Sequence, residues 1–225
     1  MSNEKSKASK SLQKLLSGVA HYHTSVYPKL KESLEKTIRE GQKPHALFIT
    51  CADSRIDPES LTQSKPGEIF VLRNIGNMIP SYGEMLGGVS AVIEYAATAL
   101  GVDQVVVCGH TECGAIMGLL NPEIVAPMPT VRSWLTNGEA ALRIAKAKSG
   151  TKEKVPEMNT VIEENVLLQV RHLQTHPSVA GRIAEKSLSI SGWVYDIGHG
   201  TVRVFDEDAS AFVSYEHFLQ SEEAR

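Results

Sequence analysis

Three short, largely apolar runs constrain the fold of this chain more than any other feature: Ala46–Thr50 (ALFIT), Glu68–Leu72 (EIFVL) and Gln104–Cys108 (QVVVC). None shows the polar alternation of a strand with one wet face, so each reads as a strand covered on both faces of a parallel sheet. Between the second and third, Gly87–Leu100 is rich in small residues and helical in pattern, and Gly101 stands where a helix C-cap is expected. A fourth strand is expected at Ser189–Asp196 (SISGWVYD), then a hairpin turn at Gly198-His199-Gly200 and a strand at Thr201–Phe205. Strands alternating with helices predict an α/β fold with a mainly parallel central sheet flanked by helices.

Residues 1–10 (MSNEKSKASK) read as a disordered arm, which leaves 11–225 as a single domain. Leu12, Leu15, Leu16 and Val19, then Leu30, Leu34 and Ile38, recur at helical spacing. They predict two helices separated near Tyr27-Pro28, the second stopping at Gly41. The charged stretch Glu139–Lys154 reads as a solvated helix and loop. A chain of 225 residues buries enough apolar surface to fold without disulfides or a structural metal.

A net charge of −3 gives no broad basic surface for nucleic acid or an acidic membrane, which points to a small substrate. No segment approaches the roughly 20 apolar residues of a membrane span. Cys51, Cys108 and Cys113 are the only cysteines, too few and odd in number for an extracellular disulfide framework. A cytoplasmic location is therefore expected. Glu4 and the lack of arginine before Arg39 weigh against a mitochondrial leader, although that destination stays open.

Two motifs carry the chemistry. Cys51-Ala52-Asp53-Ser54-Arg55 follows the first apolar run, and His110-Thr111-Glu112-Cys113 follows the third. Sites in open α/β sheets form at the carboxyl ends of strands, so Cys51, His110 and Cys113 are expected in one crevice. Two cysteines and a histidine are a catalytic Zn²⁺ set with a fourth position left for water. Cys108, inside a buried run, is better read as a small core residue than as a fourth ligand. Two thiolates make bound water less acidic than three imidazoles would, so activity is expected to rise on the alkaline side of neutrality. Asp53 can orient that water or ligate the metal, and Arg55 can hold it off through a bidentate fork. Glu112 is expected to be exposed or helix-capping, and Asp57 reads as an N-cap before Pro58.

With PGEIFVLRNIGN at 66–77, GGVSAVIEYA at 87–96 and GWVYDIGHG at 192–200, these motifs resemble the β-class carbonic anhydrases, the plant-type branch in particular. The resemblance runs from about Gly41 to Phe205. It implies an added antiparallel strand, N-terminal helices packing on a partner subunit, and a homodimer or higher oligomer. It implies Zn²⁺ on Cys51, His110 and Cys113, with zinc-bound hydroxide attacking CO₂ to give bicarbonate and a proton. Asp53 and Arg55 would act at the fourth position, with Asp53 as a fourth ligand in a closed state. Gln42, Phe70 and Tyr95 match a substrate pocket shared across the dimer, and Ile75 and Gly114 its opposite wall. Apolar CO₂ suits such a slot, and the Gln42 amide can donate to a bicarbonate oxygen. Members with a second bicarbonate site carry a Trp where this chain has Phe48. Arg73 and Tyr195 match the rest of that trio, but that regulation is not expected here.

Duller readings compete. Phe70 and Tyr95 alone would be core residues, Gln42 a polar loop residue, and Asp53 with Arg55 a surface pair. His172 and His176 are four apart but lack a third ligand. Hydrolysis of CS₂ or COS, or a non-catalytic regulator with Asp53 closed on the metal, are rival functions. A nucleotide-binding domain is weaker, because no GxGxxG or GxxxxGK[ST] follows a strand.

Overall fold

The chain divides after Gln42 into two compact units in the computed structural model, which describes residues 2–84, 87–150 and 155–223. The first unit is helical throughout. Helix α1 (Ser2–His21) runs through a wider turn at Tyr22–Val26 into α2 (Tyr27–Glu40), with Pro28 in its first turn. Gly41 ends α2 at φ 79°, a conformation open to glycine. The expected disordered arm is corrected: the helix already runs from Ser2, because no glycine or proline interrupts the chain before Gly18 and Lys, Glu and Ala favour helix. The expected single domain from 11 to 225 is likewise divided. None of residues 9–42 is buried, so this unit has no core of its own. Leu12, Leu15, Leu16 and Val19 form a stripe on α1, each more than half exposed.

The second unit is built on a six-stranded sheet. Its elements begin with β1 (Ala46–Cys51), α3 (Pro58–Thr62), β2 (Ile69–Asn74), α4 (Gly88–Glu94) and β3 (Gln104–His110). Then come α5 (Gly114–Leu120), α6 (Pro122–Val125), α7 (Pro129–Leu135), α8 (Glu139–Lys148), α9 (Met158–Gln174) and α10 (Pro177–Ala184). Strands β4 (Ser189–Asp196), β5 (Thr201–Asp206) and β6 (Ala211–Ser214) and helix α11 (Tyr215–Glu223) complete it. The strand order is β2-β1-β3-β4-β5-β6. The first four are parallel and the last two antiparallel, one more antiparallel strand than expected. The extra strand, β6, has four residues, too few to show a period. Every residue of β1 is buried, as its unbroken apolar run predicts.

Alternate strand residues feed two cores. Leu47 and Ile49 of β1 join Val105 and Val107 of β3 in the larger, which includes Val161, Ile162 and Val166 of α9. Phe48, Val106 and Cys108 join Ile56 in the smaller, against Trp193 and Tyr195. Helix α9 sits tight on the sheet because Gly109 and Gly192 leave it room. A Cβ on Gly109 would meet Val166 at 2.8 Å, and one on Gly192 would meet it at 3.0 Å. The stretch expected to be a solvated helix and loop forms α8, whose Ala141 and Ala145 are buried, so it is amphipathic instead; its tail at 151–154 lies outside the described residues. Among the described residues no helix is long and apolar enough to cross a membrane.

The carboxyl end of α9 pins the loop after β2. His172 Nδ1 donates to the Ile79 carbonyl at 2.8 Å and His176 Nε2 to the Pro80 carbonyl at 3.1 Å. The two rings therefore serve backbone rather than a metal. His176 is 2% exposed, with the Tyr82 ring edge-on at 5.6 Å. Burial lowers its pKa below the ordinary 6.5, and His172 nearby adds to this against the pull of the Pro80 carbonyl. A proton then binds the unfolded chain more readily than the native one. This contribution is complete above about pH 6.5 and is lost as pH falls through the lowered native value. Urea unfolding from pH 8 to pH 5 should show stability declining on the acid side, and His176→Gln, which keeps an N–H donor, should flatten that decline. Identical pH slopes in the two proteins would rule out this imidazole as the cause.

Candidate metal centre

Parallel pairing of β1 with β3 sets Thr50 beside Cys108, which puts Cys51 and His110 together at the carboxyl edge of the sheet. The chain reaches β2 on one side of β1 and β3 on the other, so this edge is the point where strand order switches direction. After His110, Glu112 takes a left-handed conformation at φ 56°, and Cys113 becomes the N-cap of α5. Glu112 is exposed but lies outside the helix, so the expected capping role is corrected. Its φ turns the chain back, so that Cys113 returns to the residue three positions before it.

The ligand atoms of Cys51, His110 and Cys113 lie within 4.8 Å of one another, and all three residues are buried. His110 Nδ1 faces the Thr111 carbonyl at 2.8 Å, which fixes the tautomer with the proton on Nδ1. Its Nε2 is left buried with no hydrogen-bond partner. A buried polar atom without a partner is costly, and here the lone pair sits beside two sulfurs. These residues therefore fit a soft divalent cation. The thiols already interact: the Cys113 thiol, with help from His110 and the Gly76 N–H, draws Cys51 below the ordinary thiol range against burial. Cys113 is pushed up by the same pairing and by burial. Cys108 stands apart on β3, where burial pushes its thiol up to about 12 and leaves it an inert core residue.

Asp53 and Arg55 form the expected fork. Arg55 Nε donates to Asp53 Oδ1 at 2.9 Å and Nη2 to Oδ2 at 2.7 Å, while the Arg55 backbone N–H reaches Oδ1 at 3.0 Å. Arg55 holds the carboxyl well below the usual carboxylate range. The Asp53 oxygens are not among the atoms gathered within 4.8 Å, so this structure shows the carboxylate held by the guanidinium. Arg55 Nη2 also donates to the Glu112 carbonyl at 3.0 Å and ties the two motifs together. Asp57 stands at the N-cap of α3 as read, but its carboxylate accepts from the Ser60 hydroxyl rather than from backbone.

Arg73, matched in the sequence only to a second-site trio, has a supporting role here, and motif reading misses further supporting residues. Arg73 donates to the carbonyls of Cys51, Asp53 and Ile56 at 3.1, 2.6 and 2.9 Å, fixing the turn that follows β1. Asn165 donates to the Gly76 carbonyl at 3.1 Å, Gln169 accepts from the Ile79 N–H at 2.7 Å, and Trp134 donates to the Ile75 carbonyl at 2.8 Å. Asn165 and Gln169 are buried, four residues apart, on an otherwise apolar face of α9. That polar pair within an apolar helical stripe is the signal that would have found them.

The substrate-pocket residues are divided. Ile75 is part exposed, and Gly114 opens α5 beside Cys113. Phe70 and Tyr95 face each other at 6.0 Å, but Phe70 pairs with Leu47. Leu47 is four positions before Cys51, so this aromatic pair lies roughly 13 Å along the strand from the metal cluster of its own chain. Gln42 belongs to the N-terminal unit. At the expected second-site position, the Trp193 ring meets Phe48 edge-on at 5.8 Å, but its N–H is given to Ser191 Oγ at 2.8 Å.

Residues 46–202 match the family model for carbonic anhydrase. The chain belongs to the β-class carbonic anhydrases. A carbonic anhydrase of Synechococcus elongatus is 43% identical over 85% of this chain and 70% of its own length. One from Pseudomonas aeruginosa is 40% identical over 90% of this chain and 91% of its own. The solved structure of the β-carbonic anhydrase CcaA superposes with a TM-score of 0.86 at 38% identity, over 91% of this chain and 99% of that one. As a β-class carbonic anhydrase this protein is an enzyme, and in it the cluster of Cys51, His110 and Cys113 stands at the carboxyl edge of the sheet.

Gly76 combines a positive φ with a close approach at the cluster itself. Its N–H reaches Cys51 Sγ at 3.4 Å, its φ is +76°, and a Cβ there would meet that of Ala115 at 2.7 Å. Gly76→Ala should cost about 2 kcal/mol from strain and overpacking. It should also weaken zinc retention against a chelator. A variant with unchanged melting temperature and unchanged zinc loss would show that the close approach is not needed.

Proposed function

We propose that the protein catalyses the reversible hydration of CO₂ to bicarbonate and a proton, with Zn²⁺ held by Cys51, His110 and Cys113. The observation that carries this reading is the buried, unpartnered His110 Nε2 beside two cysteine sulfurs. Zn²⁺ held there would lower the pKa of a water, less far than an all-imidazole site would, and so supply a nucleophile on the alkaline side of neutrality. Asp53, ionised and gripped by Arg55, accepts the O–H of that water and leaves a lone pair free for CO₂. Released by Arg55, the same carboxylate would be free to act as a fourth ligand in a closed state.

Ile75 and Gly114 form one wall of the CO₂ slot, and Gln42, Phe70 and Tyr95 of the partner subunit supply the other. The distance of Phe70 from its own cluster supports this, since the pair has no use there within one chain. The Leu12, Leu15, Leu16 and Val19 stripe supports a homodimer or higher oligomer in which α1 packs on a second copy. A cytoplasmic setting suits a metal held by two reduced cysteines.

Stopped-flow CO₂ hydration with zinc content measured alongside tests the reading. The wild type should hold about one zinc per chain and turn over, while Cys51→Ser should lose both. Asp53→Ala should keep its zinc and lose about a hundredfold or more in rate. A zinc-loaded wild type no faster than buffer would overturn the assignment, and turnover confined to CS₂ or COS would move it to a sulfur analogue.

A further inference from the structure

A cavity of about 300 Å³ opens between α5, α6, α7 and α8, away from the ligand atoms of the metal centre. Three cations stand around it: Arg132 from α7, and Arg143 and Lys146 from α8. Glu139 is the single acid in the lining. It lies four residues before Arg143 on α8, the spacing at which helical ion pairs form, yet no such pair is present. Among the described residues, none of the three cations has a carboxylate or a hydrogen-bond acceptor as partner. Elsewhere among the described residues of the same unit Lys148 pairs with Glu164, Arg203 with Glu163 and Arg55 with Asp53, while Arg171 and Lys186 stand unpaired but singly; what sets this site apart is three such cations around one cavity.

One side of the cavity is apolar. Val125, Leu135 and Leu142 line it. Gly118 of α5 presses on two of them so closely that a Cβ there would meet Val125 at 2.8 Å and Leu135 at 3.1 Å. The cavity thus has a packed hydrocarbon wall and carries an excess of positive charge at its mouth. Its volume is at the small end of ligand pockets. Two guanidiniums and an ammonium at one opening are suited to an oxyanion, which arginine grips with paired N–H donors.

We propose that this cavity binds a small amphipathic anion: a carboxylate or phosphate head held by Arg132, Arg143 and Lys146, on a short hydrocarbon body lying against Val125, Leu135 and Leu142. Charge alone would serve inorganic phosphate equally well, so the apolar side is what selects. Because Gly118 belongs to the helix that Cys113 caps, the occupant would rest on the element that carries a metal ligand.

Isothermal titration of the zinc-loaded protein at fixed low ionic strength tests this, with hexanoate, hexyl phosphate and inorganic phosphate as probes. At least one of the hexyl-chain probes should bind saturably and at least tenfold more tightly than inorganic phosphate, a gain that burying roughly two methylene groups supplies. Which probe binds distinguishes a carboxylate head from a phosphate. The double variant Arg132→Gln/Arg143→Gln should lose at least tenfold in affinity, and any binding at the metal centre, common to both proteins, cancels in the comparison. The single variants and Lys146→Gln serve in its place if the double variant melts early. Equal affinity in wild type and variants, or no preference for the hexyl chain, would overturn the proposal.

Discussion

The register between β1 and β3 is the constraint from which the rest of the structure follows. With Thr50 beside Cys108, two adjacent strands deliver a thiol and an imidazole to one point on the sheet edge. A two-residue slip would separate them by roughly 7 Å, well beyond shared coordination. The register is itself fixed by burial, since β1 is covered on both faces and a shift of one would exchange its two cores. A buried hydrogen bond from Thr50 Oγ1 to the Cys108 carbonyl, 2.9 Å long, ties the pair at the last residues before the site.

Around that edge, polar groups act on backbone more than on one another. Arg73 collects three carbonyls of the turn after β1, Arg55 bridges from that turn to Glu112, and α9 reaches the loop after β2 through Asn165 and Gln169. A bond in which the donor is charged is worth more than a neutral one, although solvent screens those at the exposed Arg55. Together with the buried side chains of Ile56, Met78 and Ile79, these bonds hold the loops on which the cluster stands. They fix the backbone on either side of Cys51, His110 and Cys113.

The sheet and the metal cluster were largely legible in the sequence because their signals are local. ALFIT and QVVVC announce their burial, and the ligands follow them directly. Gly41 ended α2 as read, and Gly101 ends the wider helical turn Tyr95–Leu100 that continues α4, since a positive φ at a helix end calls for glycine. What escaped was set by distant partners. Phe70 and Tyr95 matched a pocket, yet only the strand register shows that they lie far from their own metal cluster. The polar stripe of α9 gains its meaning from a loop about ninety residues away in sequence. The helicity of Ser2–Lys10 was hidden by a composition equally at home in a disordered arm.

Glu112 carries a broader implication. A residue other than glycine held at φ 56° costs about 1 kcal/mol, and the chain accepts that cost between two of its three ligands. Stability and function therefore pull in opposite directions at one position. Glycine there would relax the turn in the folded protein but would widen the choices of the unfolded loop and slacken the cage that brings Cys113 back to His110. A search for a hardier version of this enzyme that scored folding alone would be drawn to residue 112, and its gain would be taken from the rigidity of the site.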